Sequence, residues 1–326
     1  MPDISFSPRP VRCDRPPSIH VPLVRTGRGG ARNPPVPGHL QTVIYRASDV
    51  GLMVVIDMHV HVAKPGDWTP SVVAMAEKLC PDYEARLRSF IEEPAAMAKY
   101  FKAQGVDRVV LLAEDAPKVT GVVPNEFIRD MARSDEMFIT FACIDPLSRK
   151  GAPALLEKCV TEYGMKGLKL LPTYNHHAPN DKRVYPILEK ARDLGIPVMF
   201  HTGTSVFKGT RNKWGDPMFY DDLAVDFPEL VIIMAHSGRP FWYDKAFYLS
   251  RMHENLYMEI TGIPPKSLLE AFPRLESNAD KILFGSDWPV TPGITKVIDG
   301  IRALDLPEKV KRAILGDNAA RVLKIR

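Results

Sequence analysis

The chain has 326 residues, 45% of them hydrophobic and 25% charged, an ordinary globular composition that can bury a large core without disulfide staples. The net charge of +4 resides in residues 1–52, which hold seven Arg, three Asp and no Lys; residues 53–326 are neutral, so charge gives no argument for a nucleic-acid partner. The longest apolar runs, such as Val231–Ala235, are far short of the ~20 residues of a membrane-spanning helix, and the N-terminus lacks the apolar core of a secretory signal.

Residues 1–52 contain nine Pro and five Gly and show no helical or strand periodicity, which predicts a disordered tail. Met53 opens directly on a buried-strand pattern, so the natural product is expected to start there, with the tail as upstream sequence. Cys13, Cys80, Cys143 and Cys159 are scattered and form no C-x-x-C pair. They read as reduced packing cysteines of a cytoplasmic protein.

From residue 53 onward, short apolar runs alternate with helical patterns. The runs are Val54–Val60, Asp107–Ala113, Met137–Cys143, Gly167–Leu171, Pro197–His201, Leu230–His236, Leu256–Ile260 and Lys281–Gly285. Nearly continuous apolar character bounded by turn residues predicts buried parallel strands. Helices are predicted over Pro94–Gln104, Pro124–Arg133, Ala152–Tyr163 and Val184–Leu194, with Gly105, Gly164 and Gly195 as stop signals after three of them. Pro307–Ile325 reads as a closing helix. Eight strands alternating with helices predict a (β/α)8 TIM barrel over 53–326. No G-x-G-x-x-G follows the first strand, which disfavours an open dinucleotide-binding sheet. The long segment Ala63–Glu93 would lie over the C-terminal mouth and is a candidate lid.

Polar residues follow several of these strands. His59 and His61 alternate on the first and point the same way, within reach of one cation. His201 closes the fifth strand, His236 the sixth, and Asp287 follows the eighth. In a barrel these ends converge on one mouth, where active sites of the fold lie. Asp57 alternates with the histidines and is expected to be structural. Glu114 and Glu259 lie near the ends of the second and seventh strands, with no role assigned. Arg239 is a candidate fork for a substrate carboxylate, and a solvent-facing helix start is an equal reading. Trp68 lies in the candidate lid, Tyr174 in a polar loop with Asn175, His176 and His177, and Trp288 is expected to shape the pocket wall.

These motifs resemble the amidohydrolase superfamily, in the branch that includes aminocarboxymuconate semialdehyde decarboxylase. They are Ile-Asp-Met-His-Val-His at 56–61, Gly-Leu-Lys-Leu-Leu-Pro at 167–172, Phe-His-Thr-Gly at 200–203, Ala-His-Ser-Gly-Arg-Pro at 235–240 and Phe-Gly-Ser-Asp-Trp-Pro at 284–289. Gly-Asp-Asn-Ala-Ala-Arg at 316–321 extends the match. The resemblance implies one divalent ion, zinc first and manganese second, on His59, His61, His201 and Asp287. It places His236 beside the metal-bound water, with Asp287 as proton shuttle. Relatives with two metals carboxylate a lysine on the fourth strand; here Lys169 is expected to stay unmodified and to contact substrate or the hydrogen-bond shell of the metal site. Relatives are often oligomers, so a homo-oligomer is an expectation by analogy.

Two chemistries share these ligands. Hydrolysis of an ester, lactone or amide is the main expectation. Non-oxidative decarboxylation of an aromatic or unsaturated carboxylic acid is the alternative. A non-catalytic barrel ranks last, because the ligand set and His236 are intact. Zinc deaminase chemistry lacks its H-x-E and P-C-x-x-C signature.

Overall fold

A computed structural model describes residues 53–291 and 293–325. The expected disordered tail, the proposed start at Met53 and Cys13 therefore concern sequence outside the described residues. The strands are β1 (Ile56–His61), β2 (Arg108–Leu112), β3 (Glu114–Ala116), β4 (Gly121–Val123), β5 (Phe138–Cys143), β6 (Gly167–Leu170), β7 (Val198–His201), β8 (Ile232–Ala235), β9 (Leu256–Glu259) and β10 (Ile282–Leu283). Eight of them form one parallel sheet in the order β1-β2-β5-β6-β7-β8-β9-β10.

The seam between the last and first strands is bridged by backbone hydrogen bonds. Met58 N donates to Phe284 O (3.0 Å), Asp287 N to His59 O (2.8 Å) and His61 N to Trp288 O (2.9 Å). The (β/α)8 barrel is thus closed by the segments that carry His59, His61 and Asp287, three of the expected metal ligands. β3 and β4, which the sequence pattern did not suggest, form a small antiparallel hairpin at the end of β2.

Strand interiors are buried throughout because helices cover the outer face and side chains fill the inside. Predicted helices recur as Pro94–Ala103, Asn125–Ala132, Ala152–Thr161 and Tyr185–Asp193. Gly105, Gly164 and Gly195 all have positive φ past helix ends, where a side chain would be strained. The candidate lid folds as two helices, Pro70–Leu79 and Tyr83–Glu92. The expected closing helix is interrupted: a π-turn, Ala313–Asp317, lies between Glu308–Arg312 and Asn318–Leu323. Gly316 lies against the backbone carbonyl of Val54 so closely that a Cβ would collide with it. Among the described residues Cys80, Cys143 and Cys159 form no disulfide. Among the described residues no helix is long and apolar enough to cross a membrane.

Candidate active site

A cavity of about 700 Å3 opens at the C-terminal ends of the strands. His59, His61, Lys169, His201, His236, Arg239, Asp287, Tyr174 and Trp68 line it. The four histidines, Lys169 and Asp287 come from the ends of five barrel strands or the residues just after them. His61 Nε2 lies 3.5 Å and His59 Nε2 3.6 Å from Asp287 Oδ1. Adjacent imidazole centroids are 5.1 Å apart for His59–His61, 5.0 Å for His59–His236 and 4.6 Å for His201–His236.

Each ring has its Nδ1 directed at a protein group. His59 Nδ1 lies 3.1 Å from Glu259 Oε2, and His236 Nδ1 lies 3.2 Å from the Thr261 carbonyl. His201 Nδ1 lies 3.3 Å from the Tyr174 hydroxyl, which itself donates to Ser205 Oγ at 3.1 Å. His61 Nδ1 is 2.8 Å from Glu114 Oε1, an ion-pair contact that stands off the ring N–H axis. Acceptors at Nδ1 fix the Nε2-unprotonated tautomer of His59, His201 and His236 and turn each of these Nε2 lone pairs toward the interior. His201 Nε2 is buried with no hydrogen-bond partner. Burial first, then the positive charges of Lys169 or Arg239, hold His59, His201 and His236 well below the usual imidazole pKa, so these rings are neutral.

Neutral imidazole nitrogens beside a carboxylate are the donor set of a divalent-metal site. His59, His61 and Asp287 place their ligand atoms within 4.8 Å of one another. His201 lies outside that triad and adjoins it through His236. His59, His236 and Glu259 form a second such group. There, Glu259 already holds His59 through Nδ1 and so serves as an orienting partner.

The backbone around the site is strained where it turns. His236, Ser237 and Asp287 have φ of 66°, 49° and 62°, a region costly for residues with a Cβ. Glu259 and its strand hold the first turn: Ser237 Oγ donates to the Glu259 carbonyl at 2.8 Å, and His236 N to Glu259 Oε2 at 3.3 Å. The Asp287 turn is held by the bond to His59 O already described.

Lys169 is fully buried, with Nζ 3.3 Å from His59 Nε2. Burial lowers its pKa, and the carboxylates of Glu259 and Asp287 oppose that shift. Burial raises Glu259 in turn, against the attraction of Lys169 and backbone N–H bonds from Thr261 and His236. Arg239 donates from Nη1 to the Thr261 carbonyl at 3.3 Å and packs where a Cβ of residue 262 would sit, so the position requires Gly262. Among the described residues its guanidinium has no carboxylate partner within 4.0 Å.

Trp68 lines the cavity and donates from Nε1 to Glu114 Oε1 at 3.2 Å. Burial pushes Glu114 up, but the adjacent His61 and the hydrogen bond from Trp68 bring it below its ordinary value. Tyr174 lines the cavity from a short helix, Pro172–Asn175. Its neighbours Asn175, His176 and His177 bond elsewhere, to the carbonyls of Asp115, Gly209 and Ala178. Asp57 is structural, accepting from His59 N and Ser286 N at the seam.

Trp288 corrects the expectation that it shapes the pocket wall. Its backbone pairs with Val60, and its ring is buried among Phe90, Tyr100 and Phe101 rather than in the cavity wall. Beyond the positive-φ turn at Asp287 the indole lies outside the barrel mouth, where Nε1 donates to Tyr100 OH at 3.2 Å.

A family model described as Amidohydrolase matches residues 56–325. Gamma-resorcylate decarboxylase from a Rhizobium species is 21% identical over 285 residues, covering 70% of this chain and 86% of that protein. An uncharacterised TIM-barrel protein from Bordetella bronchiseptica superposes with a TM-score of 0.67 at 21% identity, covering 83% of this chain and 99% of its own. A dihydroxybenzoic acid decarboxylase from a Polaromonas species, with bound manganese and the inhibitor 2-nitroresorcinol, superposes with a TM-score of 0.60 at 20% identity, covering 83% and 97%.

Proposed function

As the chain belongs to the amidohydrolase family, we propose that it is a metal-dependent non-oxidative decarboxylase of an aromatic or unsaturated carboxylic acid. The observation that carries this reading is the likeness, over nearly their full length, to proteins named as decarboxylases of hydroxylated benzoic acids. That likeness weighs against hydrolysis, the chemistry the motifs alone put first.

The divalent ion would be held by His59, His61, His201 and Asp287. The inward-facing Nε2 atoms, and His201 Nε2 with no partner of its own, support the fit. When bound, the ion supplies a Lewis acid that neutralises and orients an acidic substrate. Zinc and manganese both suit imidazole–carboxylate sites, and the manganese in the Polaromonas enzyme favours manganese here.

The remaining roles fall to the chain's own groups. Arg239, with no acidic partner, meets the negative charge of the substrate. Lys169 adds a second positive charge at the floor of the cavity. His236 Nε2 accepts a hydrogen bond from a substrate hydroxyl. Asp287 relays a proton, taken up from water, to the carbon that loses CO2: the C–C electron pair stays on that carbon and forms the new C–H bond as CO2 leaves. Trp68 and Tyr174 wall the reacting ring and exclude water.

The test is a product assay on metal-loaded protein with 2,6-dihydroxybenzoate and related hydroxybenzoates, alongside simple lactones and aryl esters. CO2 release with formation of the corresponding phenol is expected. Acid release from a lactone or ester without any CO2 from the benzoates would overturn the reading in favour of a hydrolase.

A further inference from the structure

The cavity is larger and more apolar than a single hydroxybenzoate ring requires. At about 700 Å3 it lies in the upper part of the range for pockets that enclose drug-sized ligands, roughly 300–1,000 Å3. Most of its polar groups gather at the strand ends, and the rest of the wall is mainly hydrocarbon, with the half-buried Thr291 and the exposed Lys296 among it. Val72, Met75 and Leu79 follow one another at helical spacing along the cavity-facing stripe of the helix Pro70–Leu79. Val297, on the helix Ile294–Arg302, and Val290, before it, line the same space. Met75, Leu79, Val290 and Val297 are only half-buried, so each presents apolar surface to the opening. Val206, 76% exposed, stands at the rim of the same cavity.

Half-buried aliphatic groups converging on one space from two helices and two loops leave apolar surface that a ligand would cover favourably. No carboxylate of the helix Pro70–Leu79 faces the cavity; Glu77 points away and is exposed. An acid whose body ended at one small ring would fill the polar end and leave this wall wet.

We infer that the substrate is an aryl or unsaturated acid whose apolar portion extends well beyond a single ring, with its acidic end at Arg239 and the histidines and its hydrocarbon end between the helices Pro70–Leu79 and Ile294–Arg302. This inference rests on the decarboxylase reading for the acidic end, while the apolar compartment stands on its own geometry.

The experiment is a binding ladder. Manganese-loaded full-length protein is titrated calorimetrically with 2,6-dihydroxybenzoate and with its 3-alkyl and 4-alkyl homologues from methyl to butyl, and CO2 is measured in parallel. In at least one series the Kd is expected to tighten roughly three- to fourfold per methylene. Met75→Trp, which fills the compartment, is expected to flatten that series while the unsubstituted acid binds as before. Affinity that stays level or falls with chain length in both series of the wild-type protein overturns the inference, and so does a ladder that Met75→Trp leaves unchanged. CO2 from none of the acids, with the ladder intact, overturns the decarboxylase reading and upholds the apolar compartment.

Discussion

Each imidazole in the cavity directs Nδ1 at a protein group and keeps Nε2 for the interior, and two buried carboxylates do much of that orienting. Glu259 holds His59 and also braces the strained turn at His236. Glu259→Gln is expected to weaken metal affinity by ~10- to 100-fold, the range for lost orienting partners of metal ligands. Competition with a fluorescent chelator measures it, and unchanged affinity would remove Glu259 from that role. His236→Asn is expected to lower kcat by ~10- to 100-fold, as for one lost hydrogen bond to an ionising group, with metal content retained; a near-normal kcat would take His236 out of the reaction. The histidines and Asp287 were legible in the sequence because each ends an apolar run, and strand ends of a barrel meet. The roles of Glu114 and Glu259 were not, because they depend on which neighbouring strand's histidine each side chain meets, and no spacing motif records that. Trp288 was misread because the left-handed turn at Asp287, which sets where the indole goes, leaves no mark in the sequence pattern.

The parallel strands were readable as elements because burial on both faces leaves continuous apolar runs. Their ends were less so: β10 shrinks to Ile282–Leu283, since the next residues turn across the seam toward β1. The hairpin β3–β4 escaped notice because Glu-Asp-Ala carries little strand propensity. It is fixed by tertiary contacts, including the close approach of Gly121 to Asp67 and Trp68. The π-turn at Ala313–Asp317 is likewise invisible to a helical periodicity. It places Gly316 against the Val54 carbonyl at the start of β1. Gly316→Ala is therefore expected to destabilise the barrel by about 1–3 kcal/mol, as overpacking does, read as a lower urea midpoint with unchanged slope. A wild-type midpoint would show that the closing helix moves away at no cost.

At the scale of the molecule, neutral buried histidines tie stability to pH. His59, His201 and His236 are held below the ordinary value of 6.5, so in metal-free protein the unfolded chain binds more protons than the folded one as pH falls past that value. Their contribution is full above about pH 6.5 and is lost on acidification. Asp57, pushed up to about 6 chiefly by burial, acts in the opposite sense. It keeps its proton in the folded state between that pH and 3.8 and offsets part of the loss. The urea midpoint of metal-free protein is expected to fall between pH 7.5 and pH 5.5, roughly spanning the imidazole range; a midpoint that rises on acidification would show that only the raised carboxyls act and that these rings titrate normally.

The central claim is one divalent ion at the barrel mouth, on ligands drawn from three strands. Plasma mass spectrometry of wild-type protein and of His59→Ala, each purified and dialysed against trace manganese and zinc, tests it most directly. About one equivalent per chain is expected in the wild type, as for a mononuclear three- or four-ligand site, with loss of that metal in the variant. Wild-type protein that takes up neither ion, or a His59→Ala variant that retains a full equivalent, would contradict it.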